Sequence, residues 1–469
     1  MTPEEFRAAG YRIIDWIADY RAGIESRRVM AQSSPGEIVA QLPASPPQQP
    51  ESFDAIMSDL DRIVLPGITT WQHPRFFGYF PTGGGLSSVL GDYVSSGLGV
   101  VGLAWQSSPA LTEVEEVTTS WMRQMLGLSG AWSGVINDTA STSTLVALIC
   151  ARERATNYGL ARGGLQSEAQ PLVVYVSSQS HSSVEKAALL AGFGKAHVRS
   201  VPIDAAYAMR ADALEEMVKD DILNGSKPCA VVATTGTTTT TAFDPLDAIA
   251  RITEAHGLWL HVDAAMAGSG MILPECRSLW HGVERADSLI VNAHKWLGVV
   301  FDCTLYFVRD PEHLVRVMST NPSFLQTAVD GRVKNYRDWG LPLGRRFRAL
   351  KLWFLIREQG VEGLQARLRR DLANARWLEQ QVSSTPNWRV LAPVALQTLC
   401  VRHEPPGLDG EALDRHTLDW AAQLNHSGEA YVTPAMLDGR WMVRVSIGAE
   451  LTEREHVEQL WKLMRLAVD

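Results

Sequence analysis

The chain has 469 residues, 46% hydrophobic and 20% charged, an ordinary globular composition with enough apolar material for one large α/β domain and smaller appendages. A net charge of −9 with no long basic run excludes the electrostatic footprint of a nucleic-acid or anionic-lipid binder, leaving small molecules or a second copy of the chain as partners. No stretch approaches the ~18 consecutive apolar residues of a spanning helix, and Met1-Thr2-Pro3-Glu4-Glu5 lacks the features of a signal peptide, so a cytoplasmic location is expected.

Thr2, Pro3 and the following glutamates predict a helix start, after which Phe6, Ile13, Ile14 and Ile17 share one face. The first segment, 1–80, contains the proline-rich linker 43–50 and too little apolar mass for its own core, so it is expected to pack on a second subunit. From 81 to 350, β-rich runs at 172–176, 230–233, 258–262 and 289–291 alternate with helical patterns, which predicts a mostly parallel sheet in a large α/β domain. From 351 to 469 the pattern changes. A long helical region, 346–381, is broken at Gly360, strand-like runs follow at 388–391, 396–402 and 441–447, and Thr452-Glu453-Arg454-Glu455 opens a last helix; this predicts a small α+β domain. Cys150, Cys229, Cys276, Cys303 and Cys400 form no metal or CxxC spacing and read as small buried hydrophobes.

The chemistry centres on Val291-Asn292-Ala293-His294-Lys295-Trp296-Leu297-Gly298. A residue just past a buried strand sits where α/β proteins build their sites, and a lysine half desolvated there has a lowered pKa and a nucleophilic amine. The competing reading is a solvated loop lysine. Asp263 ends another apolar run 32 positions earlier (295 − 263). If Lys295 carries pyridoxal 5'-phosphate as a Schiff base, Asp263 pairs with the pyridinium nitrogen and keeps the ring an electron sink; otherwise it caps a turn, the usual use of a strand-end aspartate. Asp138-Thr139-Ala140-Ser141-Thr142-Ser143-Thr144, just before an apolar helix, offers the N–H groups and hydroxyls a phosphate needs, or is only a polar loop with a cap. Thr82-Gly83-Gly84-Gly85 does not make the GxGxxG of a nicotinamide-binding sheet, which disfavours an oxidoreductase.

Several stretches between Trp71 and Gly360 together resemble the aromatic L-amino acid decarboxylases, the group II branch of the fold type I pyridoxal-phosphate enzymes, with a likeness to the bacterial DOPA-type decarboxylases of similar length. They are Trp71-Gln72-His73-Pro74, Phe76-Phe77-Gly78-Tyr79-Phe80-Pro81, His181-Ser182-Ser183-Val184-Glu185-Lys186, Thr235-Gly236-Thr237-Thr238, His261-Val262-Asp263-Ala264-Ala265, His294-Lys295-Trp296 and Pro342-Leu343-Gly344-Arg345-Arg346-Phe347-Arg348. The resemblance implies a homodimer with shared active sites, clasped by the N-terminal segment. It assigns Ala140, Ser141 and Asn292 to the phosphate, and it places His181 and Ala265 on the two faces of the cofactor ring. Thr238 is implied near the substrate carboxylate, and His294 beside the phosphate and the active-site loop. Trp71, Tyr79, Phe80 and Pro81 are implied to line the substrate pocket, with Val101 and Leu103 from the second subunit and Gly344 as a small pocket residue. These rings otherwise read as core packing. Intact Lys295, Asp263 and His181 speak against a non-catalytic relative.

One position departs from the pattern. The loop tyrosine that protonates the carbanion in the resembling decarboxylases is matched here by Phe324, in Thr320-Asn321-Pro322-Ser323-Phe324-Leu325. Phenylalanine keeps the ring and loses the acid. The family's aldehyde synthases carry the same change, consume dioxygen and release an aromatic acetaldehyde with carbon dioxide, ammonia and hydrogen peroxide. An amine-forming decarboxylase, protonated by water or His181, is the alternative.

Overall fold

The computed structural model describes residues 1–80, 82–320, 329 and 331–468. It divides into two compact units, one of Thr82–Ala375 with Ala392–Leu399, the other of Met1–Pro81, Arg376–Leu391 and Cys400–Asp469.

The larger unit holds a seven-stranded sheet built from β1 (Ser133–Asn137), β2 (Leu172–Ser177), β3 (Val198–Val201), β4 (Lys227–Thr234), β5 (Trp259–Asp263), β6 (Ser288–Asn292) and β7 (Thr304–Val308), in the order β1-β7-β6-β5-β4-β2-β3. β2 to β6 pair in parallel, while β7 lies antiparallel between β6 and β1. β2, β5, β6 and β7 are buried along their whole length, which is why they read as apolar runs rather than alternations. The helix Ala140–Ala155 covers one face, its Val146, Ala147 and Leu148 packing in one cluster with Val174, Val232 and Ile290. Register fixes the ends: Asn137 pairs with Thr304 and Thr304 with Asn292, while Thr234 pairs with Asp263 and Asp263 with Ile290. Asn137, Asn292, Asp263 and Thr234 therefore lie along one carboxyl edge, where an open α/β sheet places its ligands.

The smaller unit is built on a four-stranded sheet, β8 (Trp388–Val390), β9 (Thr398–His403), β10 (Thr433–Leu437) and β11 (Arg440–Ser446), in the order β10-β11-β9-β8. β10 and β11 join through Asp438 (φ 51) and Gly439 (φ 75), the two positive angles a tight hairpin turn demands. α1 (Pro3–Ala22) starts as expected with a Thr2–Glu5 capping box and buries none of its residues. The stretch after it does bury apolar groups, Ile24, Val29, Met57 and Ile63, and Val29 N–H donates to Gly428 O at 2.8 Å. The long helix Ala349–Ser384 is interrupted at Gly360 (φ 64). The last helix, Arg454–Val468, begins differently from the expected box: Thr452 Oγ1 donates to Pro74 O (2.7 Å), and Glu453 N–H donates to His456 Nδ1 (2.9 Å). Four cysteines are buried, while Cys276 is only half-buried. Among the described residues no helix is long and apolar enough to cross a membrane.

Candidate active site

Lys295 lies three positions (295 − 292) beyond the end of β6, half-buried in a tightly bonded turn. Lys295 N–H donates to Asn292 O (3.0 Å), Gly298 N–H to Lys295 O (3.2 Å) and Val299 N–H to Ala293 O (3.0 Å). Buried groups clamp the turn from behind: Trp296 Nε1 donates to Asp371 (2.9 Å), and the Arg367 guanidinium donates to the carbonyls of Trp296 (3.0 Å) and Leu297 (2.6 Å). Gly83 crosses this turn so closely that a Cβ there would sit 2.1 Å from the carbonyl carbon of Gly298. Its N–H donates to His294 O at 2.9 Å. The glycine cluster thus serves backbone approach to the lysine turn, a role that sequence reading missed because it searched the cluster only for a dinucleotide motif.

Asp263 ends β5 and is buried; its Oδ1 accepts from Ala265 N–H at 3.0 Å, so the turn-capping reading holds for that oxygen. His181 is the N-cap of the helix Ser182–Leu190, its Nδ1 accepting from Ser183 N–H (3.2 Å) and lying 2.8 Å from Ser183 Oγ. Partial desolvation and then the Lys295 ammonium lower its pKa, with Asp263 opposing. Lys295 and Asp263 are therefore both within electrostatic reach of His181, whose Nδ1 is occupied at the helix cap.

The helix Ala140–Ala155 is capped by Thr139, whose hydroxyl accepts from Thr142 N–H at 3.4 Å. Ala140 and Ser141 are its first two residues, whose N–H groups an α-helix leaves without intrahelical partners. Thr304 Oγ1 lies 3.1 Å from Asp138 O and 3.0 Å from Asn292 Oδ1, tying this cradle to Asn292. Asn292 Nδ2 lies 3.3 Å from His294 Nε2, while His294 Nδ1 faces the Cys303 backbone. Burial, then the Lys295 charge, pushes His294 down to about 4. Neither Thr304 nor Asn137, which donates to Ser143 Oγ at 3.0 Å, was singled out from sequence. Thr238 is half-buried in the turn that follows β4, next to Thr237, whose Oγ1 accepts from Ala242 N–H at 3.0 Å. The donor set of helix N-terminus, hydroxyls, buried carboxylate and primary amine fits a phosphorylated pyridinium aldehyde.

Val101, Leu103 and Gly344 are also grouped in this unit. Gly102 N–H donates to Arg345 O at 2.8 Å, and a Cβ on Gly344 would meet Val101 at 3.5 Å. Behind them, buried Arg345 bridges Glu115 Oε1 and Ile136 O, both at 2.6 Å.

In the smaller unit, Trp71 stacks on Phe76 (ring centroids 4.7 Å apart) and on Tyr79 (5.4 Å), and Tyr431 stacks on Phe76 (5.3 Å) and Tyr79 (5.9 Å). Arg444 lies over the Phe80 ring at 4.7 Å. Arg75 is engaged by Glu429, through its carbonyl at 2.6 Å and its carboxylate at 3.3 Å. Pro81 and Phe324 lie outside the described residues.

Residues 35–404 match the pyridoxal-dependent decarboxylase conserved domain. The chain belongs to the pyridoxal-dependent decarboxylases. It is 39% identical to tryptophan decarboxylase 2 of Oryza sativa subsp. japonica, covering 99% of this chain and 95% of that one. It is equally 39% identical to phenylacetaldehyde synthase of Arabidopsis thaliana (99% and 96% covered) and to aromatic-L-amino-acid decarboxylase of Bos taurus (98% and 96%). Among solved structures it is similar to Oryza sativa TDC with PLP and tryptamine, at TM-score 0.97 and 36% identity over 100% of this chain and 98% of that one. Rhodiola rosea 4-hydroxyphenylacetaldehyde synthase follows at TM-score 0.92 and 32% identity, with 100% and 98% covered. The pyridoxal-dependent decarboxylase described here is thus a fold type I enzyme that uses pyridoxal 5'-phosphate, as the sequence predicted.

Proposed function

We propose that this pyridoxal-dependent decarboxylase acts on an aromatic L-amino acid and, in air, releases the aromatic acetaldehyde rather than the amine. Phe324 carries the aldehyde half of this reading: where the family's loop tyrosine would donate a proton, this chain has a ring with no acid. The stoichiometry is one amino acid, one dioxygen and one water giving one aldehyde, one carbon dioxide, one ammonia and one hydrogen peroxide. The cofactor supplies the electron sink for the carbanion left when the carboxylate departs. Lys295 provides the amine that attaches it, Asp263 the anion for its ring nitrogen, and Ala140, Ser141, Asn292 and His294 the phosphate contacts. His181 and Ala265 are assigned to the two ring faces and Thr238 to the substrate carboxylate. Trp71, Tyr79, Phe80 and Pro81, with Val101, Leu103 and Gly344, are assigned to the substrate side chain. The engagement of Arg75 by Glu429 supports an aromatic over an acidic substrate, since it removes a candidate clamp for a second carboxylate. The working form is a homodimer.

The test incubates the cofactor-loaded enzyme with L-DOPA, L-tryptophan, L-tyrosine or L-phenylalanine, in air and without oxygen, measuring amine, aldehyde and peroxide together. Aldehyde and peroxide in equal amounts are expected in air, and Phe324→Tyr is expected to restore the amine. Amine as the sole product in air defeats the aldehyde reading and leaves the ordinary decarboxylase.

A further inference from the structure

Tyr79 is 48% exposed, yet its backbone is held at both its N–H and its carbonyl. It adopts φ 46, a left-handed conformation that is strained for a non-glycine residue and persists where neighbours over-determine it. Its N–H donates to Thr433 Oγ1 at 2.7 Å, and its carbonyl accepts from Arg444 Nη1 at 3.3 Å. Trp71 stacks on its ring at 5.4 Å and Tyr431 at 5.9 Å. Tyr431 also donates its hydroxyl proton to Tyr79 Oη at 3.3 Å. Tyr431 is itself closely packed: it stacks within 3° of parallel on Phe76, and a Cβ on Gly78 would lie 2.3 Å from its ring, so the chain keeps glycine there. Burial and the bond to Tyr79 push the Tyr431 phenol up, in keeping with a protonated donor. With Tyr431 donating to Tyr79 Oη, the Tyr79 proton is not engaged in that bond and is left for another acceptor.

We infer that Tyr431 is a positioning residue for substrate recognition: it aims the Tyr79 hydroxyl, and the resulting pair selects amino acids whose aromatic ring bears a hydroxyl group over those with an unsubstituted ring. The inference rests on the assignment of Tyr79 to the substrate side chain made above. A site that offers a fixed hydrogen bond to a substrate hydroxyl disfavours the analogue lacking it, because the site's polar group then goes unmatched.

The experiment measures carbon dioxide release by the cofactor-loaded full chain, which is blind to whether amine or aldehyde follows, with L-tyrosine and L-phenylalanine as the matched pair. Tyr431→Phe keeps the ring stack and removes only the donor. It is expected to lower the tyrosine-to-phenylalanine ratio of kcat/KM by about threefold to tenfold, the worth of one neutral hydrogen bond, chiefly through KM for tyrosine. Tyr79→Phe should match or exceed that loss, and the double variant should lose no more than Tyr79→Phe alone. Thr433→Val, which releases the Tyr79 N–H and leaves both phenols in the chain, should move the ratio the same way and serves if Tyr431→Phe does not fold. A ratio unmoved in both Tyr431→Phe and Thr433→Val, or losses that add in the double variant, overturns the inference while leaving the decarboxylase assignment intact. A wild-type enzyme that releases carbon dioxide from neither amino acid overturns the aromatic-substrate reading, and this inference with it.

Discussion

His261 is fully enclosed within β5, its Nδ1 2.8 Å from Ser288 Oγ, and burial alone pushes its pKa from 6.5 down to about 3. His294, by burial and then Lys295, and His73, by burial and then Arg75, are held at about 4. A histidine whose folded pKa lies below its unfolded value binds fewer protons when folded. Its stabilisation is therefore complete above about pH 6.5 and is lost as pH falls toward 4 and below. We predict that the unfolding midpoint falls through this window and that His261→Gln shallows the slope by about one proton, roughly 1.4 kcal/mol per pH unit. Parallel curves for the two proteins would show that His261 titrates normally. Lys295→Ala is predicted to reduce carbon dioxide release by at least about a thousandfold, with an unchanged unfolding midpoint and no visible band of covalently held cofactor, since the amine attaches cofactor but packs little. Retention of that band would assign the attachment to another lysine. At this scale Lys295 and Asp263 stood out in the sequence because each is a polar residue ending or following an apolar run, whereas His181 was singled out only through the family resemblance. Thr304 and Tyr431 were not: their roles come from partners 12 positions away at Asn292 and 352 positions away at Tyr79.

The element that gathers the site is the carboxyl edge of a parallel sheet, and the buried strands that form its centre were readable as apolar runs. β3 reads Val-Arg-Ser-Val and hides its strand character behind polar residues, with only Val201 fully buried. β1 and β7 were missed for a different reason: β7 runs antiparallel between β6 and β1, which breaks the strand-helix-strand rhythm on which the sequence reading depended. The crossing of Gly83 over Gly298 is likewise a contact between elements that no local pattern encodes. It yields a prediction. Gly83→Ala would drive a methyl into backbone atoms at 2.1 to 2.5 Å, where no side chain can yield, so the lysine turn must shift. Overpacking of this kind costs about 1–3 kcal/mol. We expect a lower unfolding midpoint together with weaker cofactor binding, measured by absorbance titration. Wild-type affinity in the variant would mean that the 83–85 strip moves and the lysine turn does not.

At the scale of the molecule, α1 is a long element that the chain leaves uncovered. None of its residues is buried, and Phe6 (52% exposed), Tyr11 (63%), Ile13 (38%) and Ile14 (42%) face outward. The helix Leu86–Leu98 likewise exposes Leu86, Leu90, Tyr93, Val94 and Leu98. Helical stability in proteins comes mainly from packing an apolar face, and α1 has no buried residue to supply it. Large exposed apolar surface of this kind marks an interface. The proposed homodimer would supply the cover, and it would also account for the exposure of Val101, which is assigned to the partner's substrate pocket. Deleting residues 1–22 should therefore give a protein whose large sheet still forms, which far-ultraviolet circular dichroism reports, but which sediments as a monomer and loses most of its turnover. For the full chain, specific activity should rise with protein concentration across the range in which the dimer assembles. The two measurements must agree: if the truncated chain sediments as a dimer with wild-type turnover, α1 is not the clasp, and a full chain equally active as a monomer would show that no site is shared.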